Sequence, residues 1–241
     1  MNISAYCYTN QGGRDHNEDS VRCWTGEEGR CVFVLADGLG GHGKGEVASA
    51  LASDVLLEGC VRRPPDQAEM LALFQKANRT VMNHQMVPGQ EDMKTTAVAL
   101  SIHEHTAVWG HMGDSRLYRF SGGTLAQFTR DHSVTYMKYL GGEISYMDIC
   151  HDDDRSSLLR VLGRDPCKPE AAQSETAPGD AYLLCSDGFW EYVYREEILA
   201  DLLKAETPQT WAESMLLRHI RRVPEGNDNF SLITVFVEEE P

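Results

Sequence analysis

No run in this 241-residue chain approaches the roughly 18 consecutive apolar residues of a membrane-spanning helix, which excludes a helical membrane span. The opening residues, Met1-Asn2-Ile3-Ser4-Ala5, lack the charged-then-apolar pattern of an export signal, so a cytoplasmic setting is expected. Cationic residues are in short supply: 22 Lys and Arg stand against 37 Asp and Glu, for a formal net charge of −15. A field of that sign repels nucleic acid and anionic lipid, and neither is expected as a partner. No Cys-x-x-Cys pair occurs, and the seven cysteines are odd in number. With Cys7, Cys31 and Cys185 in apolar, strand-like surroundings, they read as reduced core residues, not as a disulfide framework or a zinc site. Repeats, low-complexity tracts and linkers are also missing, which leaves one domain over residues 1–241.

What is present centres on Val32-Phe33-Val34-Leu35-Ala36-Asp37-Gly38-Leu39-Gly40-Gly41-His42-Gly43-Lys44-Gly45-Glu46. Five apolar residues, β-branched and aromatic types among them, predict a buried strand that ends on the carboxylate of Asp37. Glycines then crowd the chain before a helical pattern begins near Glu46. Gly38, Gly40 and Gly43 fit the dinucleotide fingerprint G-x-G-x-x-G. Gly38 to Lys44 nearly fits a phosphate-cradling loop, but Gly45 stands where that loop needs a hydroxyl for magnesium. A third reading makes Asp37 a metal ligand beside a close-approach loop, and a fourth makes the glycines a plain strand-to-helix turn.

The rest of the chain discriminates among these. Strands are expected around Tyr6-Cys7-Tyr8, over Ser20–Trp24 and over Arg30–Ala36. Glu46–Cys60 reads as a helix with Val47, Leu51, Val55 and Leu56 on its apolar face. After Pro64-Pro65, Asp66 with Glu69 three residues on forms a capping-box pattern that opens a second helix to about Met86. Two helices in succession do not suit a dinucleotide unit, which returns to a strand after the first. Hairpins then follow: Thr96–Ile102 with Thr106–Met112, and Ser115–Phe120 with Thr124–Phe128. Consecutive hairpins make antiparallel sheet and exclude a doubly wound fold. A short helix to Leu140, an irregular stretch with a solvated acidic run His151-Asp152-Asp153-Asp154, a buried strand Ala181–Ser186, helices over Arg195–Lys204 and from Thr207-Pro208 to Arg222, and a closing strand Phe230–Val237 complete the reading.

Asp37, Asp114, Asp187 and Asp228 each stand where a strand meets a glycine-bearing turn, and Glu18 and Asp19 lie between two strands. Four or five like charges gathered at one sheet end repel unless a hard cation holds them together. Oxygen ligands without a Cys or His cluster point to Mg²⁺ or Mn²⁺. The bland alternative, separate turn-capping acids that never meet, suits any one of them better than the set.

The ordered motifs Arg14-x-x-Asn17-Glu18-Asp19, Asp37-Gly38-x-Gly40-Gly41-His42, Thr95-Thr96, Gly113-Asp114-Ser115-Arg116, Asp131-His132-Ser133, Ser186-Asp187-Gly188 and Asp228-Asn229-x-Ser231 resemble those of the metal-dependent protein phosphatases of the 2C type, in their bacterial single-domain form. The resemblance implies an α+β fold, a four-layer α-β-β-α sandwich of two antiparallel sheets flanked by helices. It implies Mn²⁺- or Mg²⁺-dependent hydrolysis of phosphoserine and phosphothreonine in proteins, the substrates of a partner serine/threonine kinase. Asp37 would bridge two ions, Asp187 and Asp228 would complete one, and Glu18 with the carbonyl of Gly38 would hold the other. Asp114 with Asp187 matches the acids of a third, weaker ion; Asp19, His42 and Asn229 would stand behind the ligands, and Arg14 would clamp the substrate phosphate. A hydroxide bridging the ions would attack phosphorus. The general acid stays open between His42, which otherwise caps the next helix, and a water on the third ion, because Leu39 stands where some relatives carry histidine. Residues 133–160 would form a flap that shapes substrate choice. A catalytically silent phosphoprotein-binding module on the same fold is the alternative; the full acid set speaks against it.

Overall fold

The structure is a computed structural model that describes residues 1–27, 29–39 and 44–240. Its elements run β1 (Asn2–Asn10), β2 (Asp19–Thr25), β3 (Cys31–Leu39), α1 (Gly45–Arg62), α2 (Gln67–His84), β4 (Lys94–Thr95), β5 (Ala97–His103), β6 (Thr106–Met112), β7 (Arg116–Ser121) and β8 (Thr124–Phe128). There follow α3 (Val134–Leu140), β9 (Glu170–Glu175), β10 (Ala181–Cys185), α4 (Asp187–Trp190), α5 (Arg195–Leu202), α6 (Pro208–Arg222) and β11 (Phe230–Glu238).

The alternation of side chains along a strand explains the layering. In β3 the even residues Val32, Val34 and Ala36 pack with Ala48, Ala52 and Leu56 of α1 and with Phe74 and Ala77 of α2. The odd residues Cys31, Phe33 and Leu35 face the other way, onto Leu117, Tyr182, Leu184, Ile233 and Val235. β3 is thus buried on both faces, which is why it reads as an unbroken apolar run. One sheet runs β2-β3-β5-β6-β9, with β4 paired to β3; the other runs β1-β11-β10-β7-β8. All of the pairings are antiparallel. A third cluster, with Trp211, Ala212 and Met215 of α6 and Ile198 of α5 against Phe120, Leu183 and Leu232, closes the outer face of the second sheet. The result is the α-β-β-α sandwich of two antiparallel sheets. Among the described residues no helix is long and apolar enough to cross a membrane.

Local chemistry sets the boundaries. Asp66 accepts the Glu69 N–H at 2.8 Å while Glu69 Oε2 accepts the Asp66 N–H at 3.0 Å, the reciprocal capping box expected at the start of α2. Thr207 caps α6 ahead of Pro208.

Four sequence expectations are corrected. The buried face of α1 is made by Ala48, Ser49, Ala52, Ser53, Leu56 and Cys60, whereas Val47, Leu51 and Val55 are only partly buried at its margin. Small residues let the helix lie close to β3, so apolarity alone misjudged the face. Strand β9 was not expected, since a half-exposed edge strand reading Glu-Ala-Ala-Gln-Ser-Glu between two proline-bearing loops carries little β-signal. The acidic run at 151–154 is not simply solvated: Lys138 bridges Asp152 and Asp154, each at 2.8 Å. Finally, Cys7 and Cys23 are not core thiols. They are exposed and joined by a disulfide between β1 and β2, the edge strands that bring the two sheets together; Cys31, Cys60 and Cys185 are free and buried.

Candidate active site

At one end of the sandwich the strands deliver their carboxylates to a single cleft. Antiparallel pairing of β2 with β3 sets Asp19 directly opposite Asp37. Like charges so paired are destabilising by themselves. The backbone around Asp37 is nevertheless tightly fixed. Its carbonyl accepts from the Thr96 N–H and from Thr95 Oγ1, both at 2.8 Å, and its N–H donates to Thr96 Oγ1 at 3.3 Å. Gly38 donates its N–H to the Glu18 carbonyl at 3.1 Å, and Ser49 Oγ donates to the same carbonyl at 2.6 Å. A Cβ on Gly38 would come within 2.3 Å of the Gly45 carbonyl oxygen and 2.7 Å of that of Glu18, so only glycine fits there.

Asp187 begins α4 immediately after β10, and Asp228 precedes β11, which pairs with β10. Each carboxylate accepts the N–H of the next residue, Gly188 at 2.6 Å and Asn229 at 2.8 Å, and is thereby aimed. Asn229 ties the opposing loop down. Its Oδ1 accepts the Glu18 N–H at 2.8 Å, while its Nδ2 donates to the carbonyls of Gln11 and His16 at 2.8 and 2.9 Å. That loop carries Arg14, whose half-exposed guanidinium donates to Asp228 Oδ2 at 2.9 Å.

Arg14, Glu18, Asp37, Gly38, Asp187, Asp228 and Asn229 thus line one cleft of about 400 Å³. Asp37 and Asp187 come close enough for one carboxyl to hydrogen-bond the other. Burial, then repulsion from Asp187, Asp19 and Asp114, holds the Asp37 carboxyl well above the usual carboxylate range. Asp114 is raised in the same way, by burial and then by Asp187. Burial likewise raises Asp187, and raises Glu18, with Glu46 adding to the latter. Asp19 is pushed up to about 7, chiefly by burial, although Ser231 and Ser186 donate to its Oδ2 at 2.6 and 3.0 Å. Its Oδ1 is buried with no hydrogen-bond partner among the described residues.

His42, Gly40, Gly41 and Gly43 lie outside the described residues. Thr95, Thr96, Ser186 and Ser231 stand in the ordered motifs without an assigned role, and Trp190, His219 and Glu191 stand in none of them; the fold gives each a place around the acids. Thr95 and Thr96 pin Asp37, Ser186 and Ser231 hold Asp19, and Trp190 donates its indole N–H to the Asp114 carbonyl at 2.9 Å. His219, on α6, places Nε2 2.8 Å from the Gly188 carbonyl beside Asp187. Glu191, four residues beyond Asp187, is pushed up to about 7 by burial and then by Asp187. Each lies far in sequence from what it contacts or is of a type that ordinarily caps turns, so no local pattern exposes its role.

The donor set fits divalent cations. Its side chains offer oxygen only, the Asp19 carboxylate behind them keeps a buried oxygen without a partner, and the crowded acids are relieved only by taking up protons or by a cation. The carboxylates of Asp37, Asp187 and Asp228 do not lie within 4.8 Å of one another as a trio, so an ion held by all three would have to draw them together.

The family profile described as protein phosphatase 2C matches residues 9–219. This chain belongs to the protein phosphatase 2C family. It is 31% identical over 227 residues to the serine/threonine protein phosphatase PstP of Mycobacterium tuberculosis; the match covers 93% of this chain but 43% of that protein, so the chain spans less than half the length of this relative. The crystal structure of the catalytic domain of PstP in complex with two manganese ions superposes with a TM-score of 0.85 at 29% identity, covering 98% of this chain and 99% of that one. Stp1 from Staphylococcus aureus superposes with a TM-score of 0.89 at 27% identity, covering 99% and 96%. The 2C-type sandwich accounts for the arrangement: its two sheets meet so that β2 and β3 of one bring acids against β10 and β11 of the other.

Proposed function

We propose that this chain is a Mn²⁺- or Mg²⁺-dependent phosphatase of phosphoserine and phosphothreonine in proteins, working in the cytoplasm on the products of a serine/threonine kinase. One observation carries the reading: Glu18, Asp37, Asp187 and Asp228, from four separate elements or loops, share one cleft with Arg14 at its rim. Asp37 would touch both of two ions, with Asp187 and Asp228 on one side and Glu18 and the Gly38 carbonyl on the other, while Asp114 and Asp187 would hold a third. When bound, the ions would supply a water whose pKa is lowered to about 7 as nucleophile and would neutralise charge on the phosphoryl oxygens.

The chain's own residues bind and orient. Arg14, on a loop fastened by Asn229, offers a planar fork to two phosphate oxygens, and its pairing with Asp228 aims that fork into the cleft. Asp19 accepts two hydroxyl donors from the opposite sheet and so locks β2 to β10 and β11, keeping the ligands in register. Residues 133–160, with α3 and the Lys138 ion pairs, would form the flap over the substrate peptide.

Release of inorganic phosphate from a phosphothreonine peptide tests the proposal. Activity is expected with Mn²⁺, lost in EDTA and recovered on readdition of Mn²⁺. Full turnover in EDTA overturns it, and so does metal-dependent binding of the peptide without phosphate release, which is the behaviour of the silent binding module.

A further inference from the structure

Beyond the acid cleft, His111, His132 and Glu170 place ligand atoms within 4.8 Å of one another, as a transition-metal site would. The hydrogen bonds around them assign a different task. His132 Nδ1 accepts the N–H of Gly113 at 3.1 Å, which puts the ring proton on Nε2, 3.2 Å from Glu170 Oε1. An ion on Nε2 would force that proton onto Nδ1, against the Gly113 donor. The cation of the cluster is already there: Arg160 Nη1 donates to Glu170 Oε1 at 2.9 Å, and its 3.1 Å approach to His132 Nε2, which carries the ring proton, is a packing contact and not a hydrogen bond.

The ring is thereby fixed from every side. It is buried, and it stacks on His111 with centroids 4.6 Å apart and planes 10° from parallel. His111 in turn donates Nε2–H to the Arg130 carbonyl at 2.9 Å. What this fixed ring grips is the turn before Asp114. Nδ1 takes the Gly113 N–H, and the His132 backbone N–H donates to the Gly113 carbonyl at 2.9 Å. Gly113 has φ +113°, and a Cβ on it would lie 2.5 Å from Thr96 Cβ, so the turn can be held only through its backbone. On the far side of Asp114, Trp190 holds its carbonyl.

We propose that His132 is a positioning residue for Asp114: by gripping both backbone groups of Gly113 it fixes the direction in which the Asp114 carboxylate is presented to the third ion. This rests on the reading of Asp114 as a ligand of that ion. The same logic governs groups behind metal ligands generally, whose loss weakens metal affinity about 10–100-fold.

The test counts Mn²⁺ ions bound to the full chain by the paramagnetic resonance signal of free Mn²⁺, for the parent and for H132A, H132N, H132Q and D114N. In H132N the side-chain oxygen replaces Nδ1 as acceptor, whereas glutamine carries its polar group past that position. H132N is expected to keep the weakest ion at parental affinity. H132A and H132Q are expected to weaken it about 10–100-fold, with the tighter ions unchanged. Should H132A fail to fold, the pair H132N and H132Q decides, and equal affinities in that pair overturn the proposal. Parental binding in H132A while D114N has lost the ion overturns the role of His132 alone. Parental binding in D114N overturns the reading of Asp114, and the proposal falls with it.

Discussion

Asp19 and Asp37 face each other across neighbouring strands, and both are half-buried. Without a cation the pair stores repulsion; with one it becomes binding energy. Replacing Asp37 with Asn should therefore act in opposite directions on stability and activity. In EDTA the Asp37→Asn protein is expected to melt higher than the parent, because one of the repelling charges is gone while the backbone bonds from Thr95 and Thr96 remain. Its Mn²⁺-induced rise in Tm should largely vanish, and phosphate release should fall on the order of a thousandfold or more, the equivalent of several kcal/mol of transition-state stabilisation. A melting curve in EDTA and in Mn²⁺ checks this; a variant that melts lower than the parent in EDTA would count against the repulsion. At this scale the acids were legible, since a carboxylate between a buried strand and a glycine turn is unusual enough to notice. The roles of their supports were not, although Thr95, Ser186 and Ser231 stand in the ordered motifs. Thr95, Ser186, Ser231 and Trp190 reach their partners only through the fold, and Cys7 and Cys23 meet only because two edge strands from different sheets run side by side.

Elements were legible where side-chain pattern and end chemistry agreed. β3, the β5–β6 and β7–β8 hairpins and the capped starts of α2 and α6 carry both signals. α1 carries a misleading one, because its inner face is made of alanine and serine while its bulkier Val47, Leu51 and Val55 lie at the margin. Two substitutions separate these cases. Asp66→Ala removes the cap of α2, far from the cleft, and is expected to cost about 0.5–2 kcal/mol by denaturant unfolding, with phosphate release per folded molecule unchanged. Ala52→Leu places a branched side chain where α1 lies against β3 with no exposed surface, and should cost about 1–3 kcal/mol of overpacking strain. If Ala52→Leu were instead neutral while Val55→Ala cost more, the inner face would be the one that apolarity alone predicts. β9 has no such test in sequence: its pairing with β6 is imposed by the sheet, not by its own residues.

Across the whole molecule, two sets of buried groups answer pH in opposite senses. Burial lowers His111, His132 and His219, with His132 brought down from 6.5 to about 4. A histidine kept neutral by folding stabilises fully above its unfolded pKa and loses that contribution as pH falls toward the folded value. The cleft acids do the reverse. Asp19 is raised from 3.8 to about 7 and Glu191 from 4.5 to about 7, so each stabilises fully below its unfolded pKa and loses that contribution as pH rises through about 7. At pH 6.5 the histidines of the unfolded chain are only half titrated, but their contribution is the same in EDTA and in Mn²⁺, so the difference between the two melting profiles reports the acids. In EDTA the acids by themselves lower Tm as pH rises from their unfolded values toward about 7, and Asp37 and Asp114, raised further, prolong the fall. Saturating Mn²⁺ should flatten that fall, because a bound ion requires the deprotonated acids that otherwise destabilise the fold, and its own affinity rises as they ionise. The gap between the two melting profiles should widen with pH across this window. Profiles that stay parallel would mean that the acids of the cleft do not share an ion, for no other set of groups in the described chain combines deep burial with mutual repulsion of this sign.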